Sequence, residues 1–193
     1  ILSDGAIGQM MEKVVLPDPQ PRMTEEEIKE KYPWATTGRK RGTQHRVITS
    51  LDLDSVKMEA HNRHLQEKYR LVEENEVRFE EIDCEDAEYV FVAYGSSARI
   101  AQKSVQLARA EGLKVGLLRP ITLFPFPTKA IQNLIDRGAK GFLAVELSCG
   151  QMIEDVKLAV NGRVKAEHFG RVGGIIHTPE EVLEAMKKQI IGE

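Results

Sequence analysis

Tyr89-Val90-Phe91-Val92-Ala93-Tyr94-Gly95-Ser96-Ser97-Ala98-Arg99-Ile100-Ala101 is the stretch whose reading decides the fold. Its first six residues are continuously apolar and stop at a glycine, the pattern of a strand covered on both faces. Ser96 or Ser97 is then expected to cap a helix reaching Glu111, with Ile100, Ala101, Val105 and Ala108 inward and Gly112 as the stop. The pattern recurs downstream. Val115 to Leu118 reads as a second strand, and Thr128 as the cap of a helix carrying Ile131, Leu134 and Ile135. Gly141 to Glu146 is a third strand, Gln151 to Val160 a helix stopped by Asn161-Gly162, and Val164 to Phe169 a fourth strand. Thr178-Pro179-Glu180-Glu181 joins a capping box to proline at the first helical position. Strands alternating with helices mean βα units and right-handed crossovers. Residues 88–193 are therefore expected to form an α/β three-layer sandwich on a mostly parallel sheet.

The residues before Glu88 read differently. Ile1-Leu2-Ser3-Asp4-Gly5 looks like the end of a buried strand, followed by a short helix from Ala6 to Lys13. A chain opening in mid-strand reads as a fragment of something longer. Pro17, Pro19, Pro21 and Pro33 favour an extended arm. Gly38-Arg39-Lys40-Arg41-Gly42 is a basic loop, and Val47-Ile48 at most an edge strand. From Ser55 to Glu74, Met58, Leu65, Tyr69 and Val72 fall on one helical stripe, on a helix expected to pack against a larger body. Charge divides the same way: residues 1–87 hold 13 Lys+Arg against 19 Asp+Glu, residues 88–193 hold 14 against 11.

Composition excludes several classes. With 41% hydrophobic and 30% charged residues, the 193-residue chain is not a disordered polypeptide. No apolar run approaches the ~18 residues of a membrane span, so no membrane is expected, and a net charge of −3 does not announce nucleic acid. The two cysteines, Cys84 and Cys149, are too few for a disulfide framework or an iron–sulfur site of the chain's own. A cytoplasmic location is the expectation.

Ligands of open α/β sheets collect at the carboxyl ends of strands, beside helix N-termini. Gly95, Ser96, Ser97 and Arg99 lie there, so an anion cradle competes with a merely capped helix; neither GxGxxG nor GxxxxGK[ST] is present. Glu146 reads as a general base, as a cap for a neighbouring helix or as the partner of an arginine, and Cys149 either as a helix-end thiol or as a structural or incidental one. Arg39, Lys40 and Arg41 suit a phosphate-bearing ligand such as coenzyme A, a pairing with Glu25 to Glu27, or a solvated loop. His61 and His64 share a helix side but lack further ligands for a metal, and His45, His168 and His177 complete no triad.

ILSDGAIGQMMEKVVLP, HNRHLQEKYRLVEENEVRFE, YVFVAYGSSARIAQKSV, VGLLRPITLFPFP and VELSCGQMIEDVKLAVNG together resemble the alpha chain of 2-oxoacid:ferredoxin oxidoreductases. The resemblance covers nearly the whole chain and is nearest to the branch acting on 3-methyl-2-oxobutanoate (2-oxoisovalerate) or 2-oxoglutarate. Thr49-Ser50-Leu51-Asp52-Leu53-Asp54 stands where other members carry Gly-Glu-His-Asp, which favours the 2-oxoisovalerate side. The resemblance implies that residues 1–13 end a truncated pyrimidine-binding domain, 14–87 form a linking arm and helix, and 88–193 form a transketolase C-terminal-like domain. It implies oxidative decarboxylation of a 2-oxoacid to an acyl-CoA and carbon dioxide, with electrons passing to ferredoxin. Thiamine diphosphate, Mg2+ and iron–sulfur clusters serve the complete enzyme; none is assigned to this chain, and no catalytic residue or metal ligand maps onto it. The implied partners are a thiamine-diphosphate-binding beta chain, a gamma chain and a ferredoxin-like chain. The competing reading is a free-standing flavodoxin-like or nucleotide-binding module using Gly95 to Arg99. The supporting-lobe reading further expects an exposed apolar patch larger than monomers usually carry.

Overall fold

The apolar run at Tyr89 becomes the middle of a five-stranded mixed sheet. Its strands are β1 (Phe79–Ile82), β2 (Tyr89–Val92), β3 (Val115–Pro120), β4 (Gly141–Glu146) and β5 (Lys165–Gly170), in spatial order β1-β3-β2-β4-β5. β2, β3, β4 and β5 are parallel, and β1 runs antiparallel to β3. This is a computed structural model, describing residues 4–11, 13–35 and 48–192. The chain forms two compact units: Ile1–Met10 with Lys68–Glu193, and Met11–Glu67.

In the larger unit the sheet is covered on both faces. Val90, Val92, Leu118, Phe142 and Ala144 face α5 (Thr128–Asp136) and α6 (Met152–Val160), while Phe91, Leu117, Leu143 and Val145 face α4 (Gly95–Ala110) and α7 (Pro179–Met186). Every residue of β4 is buried, which is why that segment reads as an unbroken apolar run up to Glu146. α7 opens on the capping box read from the sequence, Thr178 with Glu181, and runs on into a π-helical turn, Lys187–Ile191.

Several elements depart from the sequence reading. The sheet reaches back to Phe79, ahead of the expected start at Glu88. β1 is an edge strand whose half-charged sequence Phe79-Glu80-Glu81-Ile82 hides its alternation; Glu80 pairs with Arg119 (2.8 Å) and Glu81 with Arg137 (2.5 Å). Charges on an exposed edge discourage pairing with other chains. Neither Ser96 nor Ser97 caps α4, because the helix begins at Gly95, with Tyr94 as N-cap and no side-chain cap bond. Thr128 is likewise inside α5, behind Pro127. The first helix, α1, covers only Gly5–Gly8, and Ile48 is not in a strand.

In the smaller unit the expected proline arm contains a helix, α2 (Glu25–Lys31), held by a capping box between Thr24 and Glu27. α3 (Ser55–Asn75) starts from Asp54, whose carboxylate accepts from the amides of Val56 (3.0 Å) and Lys57 (3.2 Å). No residue of α3 is buried; Met58, Leu65 and Val72 are half-buried on the predicted stripe. From Lys68 on, α3 belongs to the larger unit, and within that unit Tyr69 meets Phe124 edge to face, ring centroids 6.2 Å apart.

Candidate functional site at the carboxyl ends of the strands

Chain direction across the sheet reverses between β2 and β4. From β2 the chain crosses by α4 to β3 on one side, and from β4 by α6 to β5 on the other. In open α/β sheets the crevice at such a reversal is where ligands bind. Here it lies between the ends Tyr94-Gly95-Ser96-Ser97 and Glu146-Leu147-Ser148-Cys149-Gly150.

The chain fills the first of these ends with its own carboxylate. Asp4 Oδ1 caps α1 through the amides of Ala6 (2.8 Å) and Ile7 (3.3 Å), and Oδ2 accepts from the Ser96 hydroxyl at 3.0 Å. The Ala6 amide foremost, then Ser96 and Ile7, hold the Asp4 carboxyl below the usual carboxylate range. Ile7 lies against Gly95. Ser96 and Ser97 are both buried. Ser96, read from the sequence as part of an anion cradle, thus already has an internal anion.

Glu146 resolves toward the cap. The residue is 3% exposed. Its Oε2 accepts from the amides of Gln151 (3.0 Å) and Met152 (2.9 Å) and from the Ser148 hydroxyl (3.1 Å), and its Oε1 from the amide of Ile153 (3.0 Å). A carboxylate at a helix N-terminus satisfies amides that have no partner within the helix. With its oxygens engaged in this way, the side chain is a structural cap. The Glu146 carbonyl has a second role that the sequence did not disclose. It accepts from the Arg171 amide (3.1 Å) and lies 3.0 Å from His177 Nε2, so one acceptor pins both ends of the loop joining β5 to α7. A carbonyl only accepts, which places the ring proton on Nε2. Burial pushes the His177 pKa down, favouring the neutral ring. Nearby, Arg171 pairs with Glu181, and His168 Nε2 lies 3.9 Å from Glu146 Oε1.

The remaining candidates do not converge. Arg99 is exposed and lines an open cavity of about 490 Å³ with Gln102, Arg119, Glu80 and Ile7, where Arg119 is already paired with Glu80. Cys149 is exposed at the end of β4, and Cys84 is buried beside a cavity of about 460 Å³ under the opposite end of the sheet. Burial pushes the Cys84 thiol up to about 11, which suppresses the reactive thiolate. The charges around that second cavity brace loops: Arg109 donates to the carbonyls of Asp83 (2.6 Å) and Val115 (2.9 Å) and to Asp86 (2.7 Å). His61 and His64 are exposed on α3, and among the described residues no three His, Cys, Asp or Glu side chains are grouped for a metal ion. No described helix is long and apolar enough to cross a membrane. Arg39, Lys40, Arg41 and His45 lie outside the described residues.

Comparison with known proteins meets this geometry from outside. Residues 87–182 match the family described as pyruvate:ferredoxin oxidoreductase core domain II. The ketoisovalerate oxidoreductase subunit VorB of Methanothermobacter thermautotrophicus is 46% identical over 191 residues, covering 97% of this chain and 51% of that protein. The 2-oxoglutarate synthase subunit KorA of Methanocaldococcus jannaschii is 30% identical over 203 residues, covering 96% of this chain and 54% of that protein. The chain thus spans about half the length of the curated relatives it matches. Among solved structures, a 2-oxoglutarate:ferredoxin oxidoreductase from Magnetococcus marinus superposes with a TM-score of 0.61 at 22% identity, covering 71% of this chain and 24% of that one. A split-gene transketolase superposes at 0.50 and 16% identity, covering 59% and 41%. The fold is thus of the transketolase C-terminal type, and the chain belongs to the family of 2-oxoacid:ferredoxin oxidoreductase subunits.

Proposed function

We propose that this chain is a supporting lobe, without catalytic residues of its own, in the alpha-type subunit of a cytoplasmic 2-oxoacid:ferredoxin oxidoreductase. One observation carries this reading. At the reversal of the sheet, where an α/β domain normally receives a ligand, Asp4 engages Ser96 on the first turn of α4 and Glu146 caps α6. The crevice is spent on internal carboxylates, which disfavours the flavodoxin-like or nucleotide-binding alternative.

The cofactors implied for such an enzyme do not fit the described residues. A cubane cluster takes four thiolates, and the chain has one buried and one exposed cysteine. A diphosphate would need a helix end clear of other anions, whereas Glu146 takes the N-terminal amides of α6 and the Asp4 carboxylate lies against Ser96 on the first turn of α4. Thiamine diphosphate, Mg2+ and iron–sulfur clusters are therefore assigned to other chains or domains, with this lobe docking among the thiamine-diphosphate-binding, gamma and ferredoxin-like partners. The 46% identity with VorB over nearly the whole chain favours 3-methyl-2-oxobutanoate over 2-oxoglutarate as the substrate of the assembled enzyme. The assembled enzyme is expected to reduce ferredoxin in the presence of coenzyme A at least tenfold more efficiently with 3-methyl-2-oxobutanoate than with 2-oxoglutarate, by kcat/KM. A preference for 2-oxoglutarate would overturn the substrate assignment.

A further inference from the structure

The loop joining β5 to α7 is held at its ends rather than along its length. Its apolar side chains Val172, Ile175 and Ile176 are each more than half exposed, so they do not anchor it. Gly173 and Gly174, both at positive φ, make the turn, and inside it the Ile175 amide reaches the Val172 carbonyl at 3.5 Å, long for a hydrogen bond. The two ends meet on one acceptor, the Glu146 carbonyl, through the Arg171 amide and His177 Nε2. Of the loop's own side chains His177 is the buried one: it is 4% exposed and lies against Phe169, ring centroids 5.2 Å apart.

That seat suits a neutral ring and opposes a charged one. Nε2 gives its proton to the carbonyl, while Nδ1 is buried with no hydrogen-bond partner among the described residues. A protonated ring donates from both nitrogens, and a buried donor left without an acceptor bears its full desolvation penalty. The charges around the ring are mixed. His177 stands just before Thr178, the N-cap of α7, at the positive end of that helix. Arg171 and, from β5, His168 also oppose a proton on the ring. Glu181 on α7 favours one, but it is already paired with Arg171. At the end of β4 the Glu146 carbonyl favours one too, whereas the Glu146 carboxylate is taken up by the amides of α6. Burial is the largest of these influences, and the His177 pKa lies below its ordinary value.

We infer that His177 is a proton-operated latch: its neutral ring closes the β5–α7 loop on the Glu146 carbonyl, and a second proton, for which the closed seat has no acceptor, releases the loop with Val172, Ile175 and Ile176. Linkage sets the sign. The closed ring takes that proton less readily than an open one, which regains the ordinary histidine value of about 6.5. Closure is therefore strongest above that pH and weakens by up to roughly tenfold per pH unit below it, until the closed ring itself titrates. The latch does not depend on the supporting-lobe reading: its failure would leave the substrate test above intact. Hydrogen exchange of the full chain, followed by NMR and corrected for intrinsic rates, reads it at the Arg171 amide. Protection there is expected to fall by roughly threefold or more from about pH 6.5 to about pH 5.5, while the amides of β4 keep theirs. His177→Gln, which can still donate to the carbonyl but does not titrate, should flatten the profile, and His168→Gln should leave it sloping. The 15N shifts of the His177 ring at neutral pH should show Nε2 protonated and Nδ1 bare, a reading that needs no variant. A flat profile in the unaltered chain, an equal slope in His177→Gln, a slope lost in His168→Gln, β4 amides losing protection in step with Arg171, or a proton on Nδ1 at neutral pH would each overturn the proposal.

Discussion

Replacing Glu146 with alanine is expected to cost the larger unit about 4 kcal/mol, several buried or half-buried donors being left without their acceptor at roughly 1–3 kcal/mol each and with incomplete additivity. The amides of Gln151, Met152 and Ile153 lose their partner together, and the Ser148 hydroxyl with them. Few changes of chemistry at one position strand so many groups. Domains of this size are stable by only ~5–15 kcal/mol, so the variant is expected to sit near the edge of folding. Glu146→Gln keeps one acceptor oxygen and turns the other into a donor facing donors, for an intermediate loss. Ser148→Ala removes a single bond and is expected to cost about 1 kcal/mol. Urea unfolding followed by circular dichroism orders the three. A Glu146→Ala midpoint no lower than that of Ser148→Ala would show that the carboxylate is not the cap described here, and would reopen its reading as a base.

The second large effect is steric. Gly170 ends β5 beside Glu146, and a methyl group there would sit 2.1 Å from the Ser148 carbonyl oxygen and 2.5 Å from His168 Cε1. The oxygen belongs to the backbone of the turn that Glu146 holds, so it cannot swing aside. Gly170→Ala is therefore expected to lower stability by about 3 kcal/mol, at the upper end for overpacking, and to disturb the loop that begins at Arg171. Gly5→Ala is the matched control, since its added methyl meets nothing within 4 Å. Thermal unfolding of both variants decides the point: equal midpoints would mean that β5 and the β4 turn are not packed this closely.

Both effects concern contacts that the sequence shows poorly, and the reasons are physical. Tyr89–Val92 and Gly141–Glu146 were legible because burial on both faces writes itself as an unbroken apolar run. Phe79-Glu80-Glu81-Ile82 was not, because an edge strand takes its acidic residues from cross-strand pairing with Arg119 and from Arg137 rather than from a core. α2 was missed because Pro17, Pro19, Pro21 and Pro33 favour an extended arm, and the capping box of Thr24 with Glu27 that holds it is a short, local pattern. At the site, the bond from Ser96 to Asp4 joins residues 92 positions apart, and that between His177 and the Glu146 carbonyl spans 31. No local pattern encodes either. Glu146 itself carried a readable cue, a carboxylate at a strand end with Gly150 and a helix close behind, and the sequence left it open among base, cap and arginine partner. The geometry of three amides selects the cap.

Large apolar side chains are exposed along the carboxyl edge of the sheet, Phe124 and Ile175 by more than half. The proposed supporting lobe, with the Asp4 and Glu146 carboxylates in its crevice, leaves the chemistry to other parts of the enzyme. The most direct test is isothermal titration of this 193-residue chain with thiamine diphosphate plus Mg2+, coenzyme A, FMN and adenine nucleotides in turn. No saturable heat with any of them at tens of micromolar chain is the predicted result. Stoichiometric binding of FMN or a nucleotide with a submicromolar Kd, or of thiamine diphosphate at any measurable affinity, would contradict the account.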